Sequence, residues 1–231
     1  MTRSDDTAAA VADRVAEARS RIAAAAPDPS RVRLVAVTKG FGPDAVRAAL
    51  SAGVTDIGEN YADELVGKAE AVAGGAGSGS GPEPRWHFLG AVQRNKVARL
   101  APLVDCWQSV SRIEEGRAIG RRRPGASILV QVDVVGGEGR NGCAPEEVAE
   151  LVASLRDEPL EVSGLMTIGP QGPAEASRPA FALVRGLATE LGLPECSMGM
   201  TDDLDVALAE GSTMVRLGRA LFGERPRRDR A

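Results

Sequence analysis

Histidine and tyrosine each occur only once in this 231-residue chain, at His87 and Tyr61. Lysine occurs only at Lys39, Lys68 and Lys96, and every other basic residue is arginine. A single histidine excludes a multi-histidine metal site and makes His87 the one imidazole available to Ser-His-Asp catalysis. Any mechanism that uses a lysine amine has three candidates. Cysteine is as scarce: Cys106, Cys143 and Cys196 form an odd set with no CxxC pair, against both a disulfide framework and a zinc site. No apolar run approaches the roughly 18 residues that a spanning helix needs. Asp5, Asp6, Asp13 and Glu17 interrupt the opening stretch where a signal peptide requires unbroken apolar sequence. The chain is therefore read as cytoplasmic. Its net charge of −4, with no long basic block, argues against nucleic-acid and anionic-membrane partners. What is present is an ordinary globular balance of 43% hydrophobic and 26% charged residues. The length suggests one or two domains, and a single α/β barrel of about 250 residues also fits; the chain is read as one such domain.

Val11, Val15, Ala18 and Ile22 fall on one stripe of an N-terminal amphipathic helix that Pro27 and Pro29 end. Beyond it, short apolar runs alternate with helical patterns. The runs predict strands at 32–38, 54–58, 86–89, 104–108, 127–133, 161–167, 195–198 and 213–217. Helices are predicted at 43–52, 61–72, 92–100, 111–122, 145–156, 176–191 and 202–209. Pro43 and Pro145 suit first helical positions, and Gly53, Gly192 and Gly211 suit helix ends. Eight strands in strict alternation favour a closed parallel (β/α)8 barrel, with an open doubly wound sheet as the rival. The glycine- and serine-rich stretch 74–81 reads as a flexible surface insert, and 225–231 as a disordered tail.

In a barrel the active site lies where strands end and helices begin. The first strand ends Thr38-Lys39-Gly40. A lysine there is poorly solvated, which favours the neutral, nucleophilic amine; the alternative is a side chain snorkelling out of the mouth. Lys68 reads as solvated on a polar helix face, and Lys96 as opening the helix after the third strand, where it suits an anion or a partner. The seventh strand leads into Gly199-Met200-Thr201, with Thr201 placed to cap the next helix, and the eighth into Gly218-Arg219. Loops after these two strands are where barrels commonly hold a phosphate. Arg216, within the eighth strand, points either inward or outward to a helix carboxylate. Two other signals are set aside. The literal GxGxxG at 137–142 precedes a helix that opens only at Pro145, and no acidic residue ends the following strand, so it does not make a dinucleotide site. His87 reads as a structural imidazole within its strand.

Taken together, Val35-Ala36-Val37-Thr38-Lys39, Gly58-Glu59-Asn60-Tyr61, Trp86-His87-Phe88-Leu89-Gly90 with Gln93-Arg94-Asn95-Lys96, Gly164-Leu165-Met166, Ser197-Met198-Gly199-Met200-Thr201-Asp202-Asp203 and Gly211–Gly218 resemble the pyridoxal phosphate homeostasis proteins, relatives of the alanine racemase N-terminal barrel. The resemblance implies a (β/α)8 barrel of PLP fold type III that binds pyridoxal 5'-phosphate (PLP). It implies that Lys39 carries the Schiff base. Ser197, Gly199, Met200, Thr201, Gly218 and Arg219 take the phosphate-cup positions, Arg216 faces the pyridine nitrogen and Asn60 lines the ring pocket. Thr201 stands where the family usually has serine, and Arg219 where it usually has a small hydroxyl residue. The implied role is cofactor storage and delivery, with apo PLP enzymes as transient partners and the protein a monomer or weak dimer. The alternative is an alanine-racemase-type enzyme. That reaction takes a second acid/base group, which in alanine racemase is a tyrosine from another domain; Tyr61, expected to pack at a helix start, does not match it.

Overall fold

The structure, a computed structural model, describes residues 3–74, 82–136 and 139–224. Eight strands form a closed parallel barrel in sequence order. They are β1 (Arg33–Val37), β2 (Asp56–Glu59), β3 (Arg85–Phe88), β4 (Val104–Val110), β5 (Ala126–Val132), β6 (Leu160–Thr167), β7 (Glu195–Ser197) and β8 (Met214–Leu217). Helix α1 (Arg3–Ala25) precedes them. The connecting helices are α2 (Pro43–Ser51), α3 (Ala62–Ala73), α4 (Arg94–Leu100), α5 (Ile113–Arg122), α6 (Val148–Arg156), α7 (Arg178–Glu190) and α8 (Leu204–Ala209). A single turn, α9 (Arg219–Phe222), follows β8. Pairing of Arg33 through Ala36 with Met214 through Leu217 closes the ring, so the barrel stands and the open sheet is excluded.

The two-residue period of the strands sorts side chains onto two faces. Outward residues such as Ile57, Phe88, Trp107, Ile128 and Val215 meet the helices in the main core. Inward residues Val35, Cys106, Leu129, Met166 and Met214 form a second, smaller cluster inside the barrel. Beside that cluster the interior is polar. His87, Gln108, Ser197 and Arg216 are all buried, and the sequence pattern alone leaves the direction of Arg216 open. It points inward.

Helix α1 buries its predicted stripe of Val11, Val15, Ala18 and Ile22 against α2, α8 and α9. It thereby lies across the β8–β1 seam where the barrel closes. Arg14 donates to the Leu221 carbonyl on one side of that seam, and Arg19 to the Gly53 carbonyl on the other.

Two expectations are corrected. Pro145 opens a 3-10 turn (Pro145–Glu147), and α6 begins at Val148. Helix α8 begins at Leu204, so Thr201 is not its cap. The short α9 carries too few residues for a periodic pattern and was not anticipated. The tail 225–231, most of the 74–81 insert and residues 137–138 lie outside the described residues.

Candidate functional site

Lys39 occupies the second position of a tight turn at the end of β1. The Phe41 amide donates to the Thr38 carbonyl at 3.0 Å, and Gly40 adopts φ 80°. That positive φ at the third position belongs to a type II turn and explains the glycine. Helix α3 holds the turn from both flanks. Glu64 Oε2 accepts from the Gly40 amide at 2.8 Å, and Lys68 Nζ donates to the Thr38 carbonyl at 2.7 Å. Lys68 also donates to Glu59 Oε1 at 2.5 Å, and the same oxygen accepts from Thr38 Oγ1 at 2.5 Å. The expectation of a solvated Lys68 is therefore wrong: the residue is 4% exposed. Its signal was present in the sequence, because Lys68 continues the stripe of Leu65, Ala69 and Val72 on the inner face of α3. Burial pushes the Glu59 carboxyl above the usual carboxylate range even with Lys68 and Thr38 donating to it. Lys96 lies at the surface, 3.6 Å from Asp63. Of the three lysines only Lys39 stands, half-buried, at a strand's C-terminal end.

Arg216 closes the polar interior. Its Nη1 donates to Ser197 Oγ at 2.7 Å and its Nη2 to the Thr167 carbonyl at 2.8 Å. Its own amide donates to the Gly199 carbonyl, tying β8 to the loop after β7. Burial lowers its pKa to about 10, which leaves it a cation at neutral pH. Among the described residues this buried cation has no carboxylate within salt-bridge distance. His87 contacts Asp56 at 2.8 Å and Gln108 at 2.7 Å, and no serine hydroxyl. A Ser-His-Asp arrangement is absent among the described residues.

Gly199, Met200 and Thr201 meet Gly218 and Arg219 where the loops after β7 and β8 converge. Thr201 Oγ1 accepts from the Ala220 amide in the first turn of α9 at 3.3 Å, which links the two loops. Gly199 has φ 94°, and a Cβ there would stand 2.5 Å from the Ala207 methyl. The Met200 amide donates to the buried Asp203 carboxylate at 2.6 Å, so it points away from the loop surface toward α8. The Arg219 guanidinium pairs with the exposed carboxylate of Asp202 and turns outward.

Asn60 follows β2. Its Oδ1 is buried with no hydrogen-bond partner among the described residues. A Cβ on Gly90 would fall 2.0 Å from the Asn60 carbonyl, so only glycine permits the approach of the two loops. Asn60 borders a cavity of about 240 Å³ shared with Gly90, Gln131, Asp133, Arg140 and Asn141. Tyr61 is 54% exposed, against the expectation that it packs. Burial pushes the Cys143 thiol up to about 11 and the Cys106 thiol up to about 12, which makes both poor nucleophiles and bases. Thus Arg216 and Ser197 are in contact, the cup loops converge, and Lys39 and Asn60 end the adjacent strands β1 and β2.

The alanine racemase N-terminal domain family matches residues 8–226. The pyridoxal phosphate homeostasis protein of Pseudomonas aeruginosa is 39% identical, over 93% of this chain and 96% of its own length. The structure of PipY from Synechococcus elongatus PCC7942 with PLP bound is 30% identical and covers 92% of this chain and all of PipY, with a TM-score of 0.80. Alanine racemase from Corynebacterium glutamicum shares the fold alone: 17% identity and a TM-score of 0.69 over 96% of this chain and 63% of that one. With eight strands closed in the order that fold requires, the chain belongs to the pyridoxal phosphate homeostasis protein family, built on the alanine racemase N-terminal barrel.

Proposed function

We propose that this chain holds PLP in the mouth of its barrel and serves the cell as a cofactor store and donor. The observation that carries the reading is Arg216: a buried cation whose hydrogen-bond partners, Ser197 Oγ and the Thr167 carbonyl, are both neutral, with the Asp203 carboxylate acting on it only through space. A buried charge with no carboxylate in contact is costly even with Asp203 nearby, and an anionic cofactor at the mouth relieves it. The orphaned Asn60 Oδ1 is a second polar group awaiting a partner at the same end of the barrel. The residues present therefore fit the cofactor.

PLP, when bound, supplies an aldehyde for attachment and an electron-accepting pyridine ring. Lys39 supplies the attaching amine. The backbone at Gly199, Gly218 and Arg219 and the Thr201 hydroxyl form the phosphate cup, with Ser197 and Met200 as its framework: their polar groups bond to Arg216 and Asp203. Asn60 walls the ring. Arg216 donates toward the ring nitrogen, and a guanidinium does not surrender its proton, so the ring stays unprotonated and a weaker electron sink. That favours holding the cofactor over carbanion chemistry. Neither His87, bonded at both ring nitrogens, nor Cys143 is disposed as a second acid/base group. On this reading the recipients are cytoplasmic apo PLP enzymes met transiently.

Adding PLP to the purified protein is expected to produce an absorption band that borohydride abolishes; no band overturns the reading. Incubation of the loaded protein with L-alanine in deuterated water is expected to leave the α-carbon unlabelled, and α-deuteration with inversion at ordinary enzymatic rates would establish a racemase instead. Thr201→Ala is expected to weaken PLP binding roughly tenfold to a hundredfold, the loss of one hydrogen bond to a charged group at about 1.5–3 kcal/mol. Equilibrium dialysis measures it, and an unchanged affinity assigns the phosphate to backbone amides alone.

A further inference from the structure

A continuous line of hydrogen bonds runs through the barrel from its floor to Arg216. Asp56 Oδ1 lies 2.8 Å from His87 Nε2, and His87 Nδ1 lies 2.7 Å from Gln108 Nε2. Gln108 Oε1 lies 2.6 Å from Ser197 Oγ, which lies 2.7 Å from Arg216 Nη1. His87, Gln108 and Ser197 have no exposed surface.

The two ends of this line admit only one arrangement of protons. A guanidinium only donates, so Ser197 Oγ accepts from Arg216 and must send its own proton onward. The acceptor it meets is Gln108 Oε1, which turns the Gln108 amide nitrogen toward His87. His87 Nδ1 therefore accepts, and His87 Nε2–H donates to Asp56. A carboxylate only accepts, so the floor agrees with the mouth. Burial raises the Asp56 carboxyl, but its hydrogen bond and charge interaction with His87 and the charges of nearby Arg85 and Arg33 leave it net lowered, in keeping with an acceptor at this end. Turning the Gln108 amide over would leave the Ser197 proton with no acceptor, in an interior where an unmade hydrogen bond is expensive.

We propose that Gln108, oriented by His87, is the positioning residue for Arg216: it fixes the Ser197 hydroxyl and so the direction in which the guanidinium faces the cofactor ring. The proposal rests on the reading that Arg216 faces that ring. Gln108 touches no cofactor and acts two hydrogen bonds away from Arg216. Replacing it by an apolar residue of similar length leaves the Ser197 hydroxyl free to rotate and releases one Arg216 contact.

The test has one arm on cofactor-free protein and one on the loaded form. In the cofactor-free protein, Arg216 is expected to give slowly exchanging Nη–H signals in ¹⁵N-resolved NMR, assigned by their loss in Arg216→Lys. Gln108→Met is expected to lose those signals at a temperature where circular dichroism shows it folded. Gln108→Glu, which keeps an acceptor for Ser197, is expected to retain them. If Gln108→Met does not fold, Gln108→Asn is read in its place, being one methylene too short to span His87 and Ser197. In the loaded form, Gln108→Met is expected to move the absorption band in the same direction as Arg216→Lys. Signals that persist in Gln108→Met, or that vanish in Gln108→Glu, overturn the proposal. Loss of the signals in Gln108→Met with no band shift, while Arg216→Lys itself shifts nothing, leaves the positioning intact and removes Arg216 from the ring.

Discussion

Lys39→Ala is expected to abolish covalent retention of PLP. After incubation with PLP, borohydride reduction and peptide mass mapping, the parent protein carries the cofactor mass on Lys39 and the variant carries none. The effect is all or none because the other two amines are disposed differently. A nucleophilic amine needs an approach open to the aldehyde. Lys68 has its three N–H directions committed to the Thr38 carbonyl, Glu59 Oε1 and Glu64 Oε2, at 2.7, 2.5 and 3.4 Å. Lys96, in the first turn of α4, is half-exposed and pairs with Asp63 at 3.6 Å. Lys39 stands at the end of β1, one strand from Arg216 on β8 and one from Asn60 beyond β2. Cofactor mass on Lys68 or Lys96 of the parent protein would overturn the assignment.

The barrel was legible because it rests on local patterns: eight apolar runs, seven helical segments and the turn residues between them. Lys39 was legible for the same reason, since the end of a strand can be located to within a residue or two. The interior of the barrel was not. Whether Arg216 points inward depends on which face of β8 the closed ring turns inward, and that is set by register with β7 and β1 rather than by β8 alone. Gln108 and His87 lie on neighbouring strands, and Ser197 lies four strands from His87 in the order around the ring. Their hydrogen bonds reach across the barrel, between residues up to 89 apart in sequence. Thr201 misled for a further reason. A hydroxyl residue before a helix usually caps it, yet here the turn at 201–203 delays the helix and frees the hydroxyl for α9. Lys68 departs from a reading by charge because its position on the α3 stripe buries it beside Glu59.

Lys68→Met is expected to destabilise the cofactor-free protein by about 3–5 kcal/mol, the usual cost of removing one partner from a buried ion pair. The substitution keeps the aliphatic volume on the inner face of α3, so the loss is electrostatic rather than a cavity. It strands the Glu59 carboxylate, whose Oε2 already has no partner and whose Oε1 would keep only the Thr38 hydroxyl. The loss is also expected to depend on pH, with a definite sign. Burial already raises the Glu59 carboxyl in the parent protein, and without Lys68 that pKa rises further above its unfolded value. The native variant then binds more protons than its unfolded chain between the two pKa values, so its stability falls as pH rises through that window. Urea unfolding followed by circular dichroism should show the largest deficit above the folded pKa of Glu59 and a smaller one on acidification. Adding Glu59→Gln to Lys68→Met removes the stranded charge and is expected to recover part of the loss at neutral pH. The same substitution leaves the Thr38 carbonyl with the Phe41 amide alone and removes one of the two ties that α3 makes to the Lys39 turn. Cofactor retention should therefore weaken in Lys68→Met even at temperatures where the variant is fully folded. A deficit below about 1 kcal/mol that does not vary with pH would show that water replaces Lys68 at no cost, and would remove the pair from any part in holding that turn.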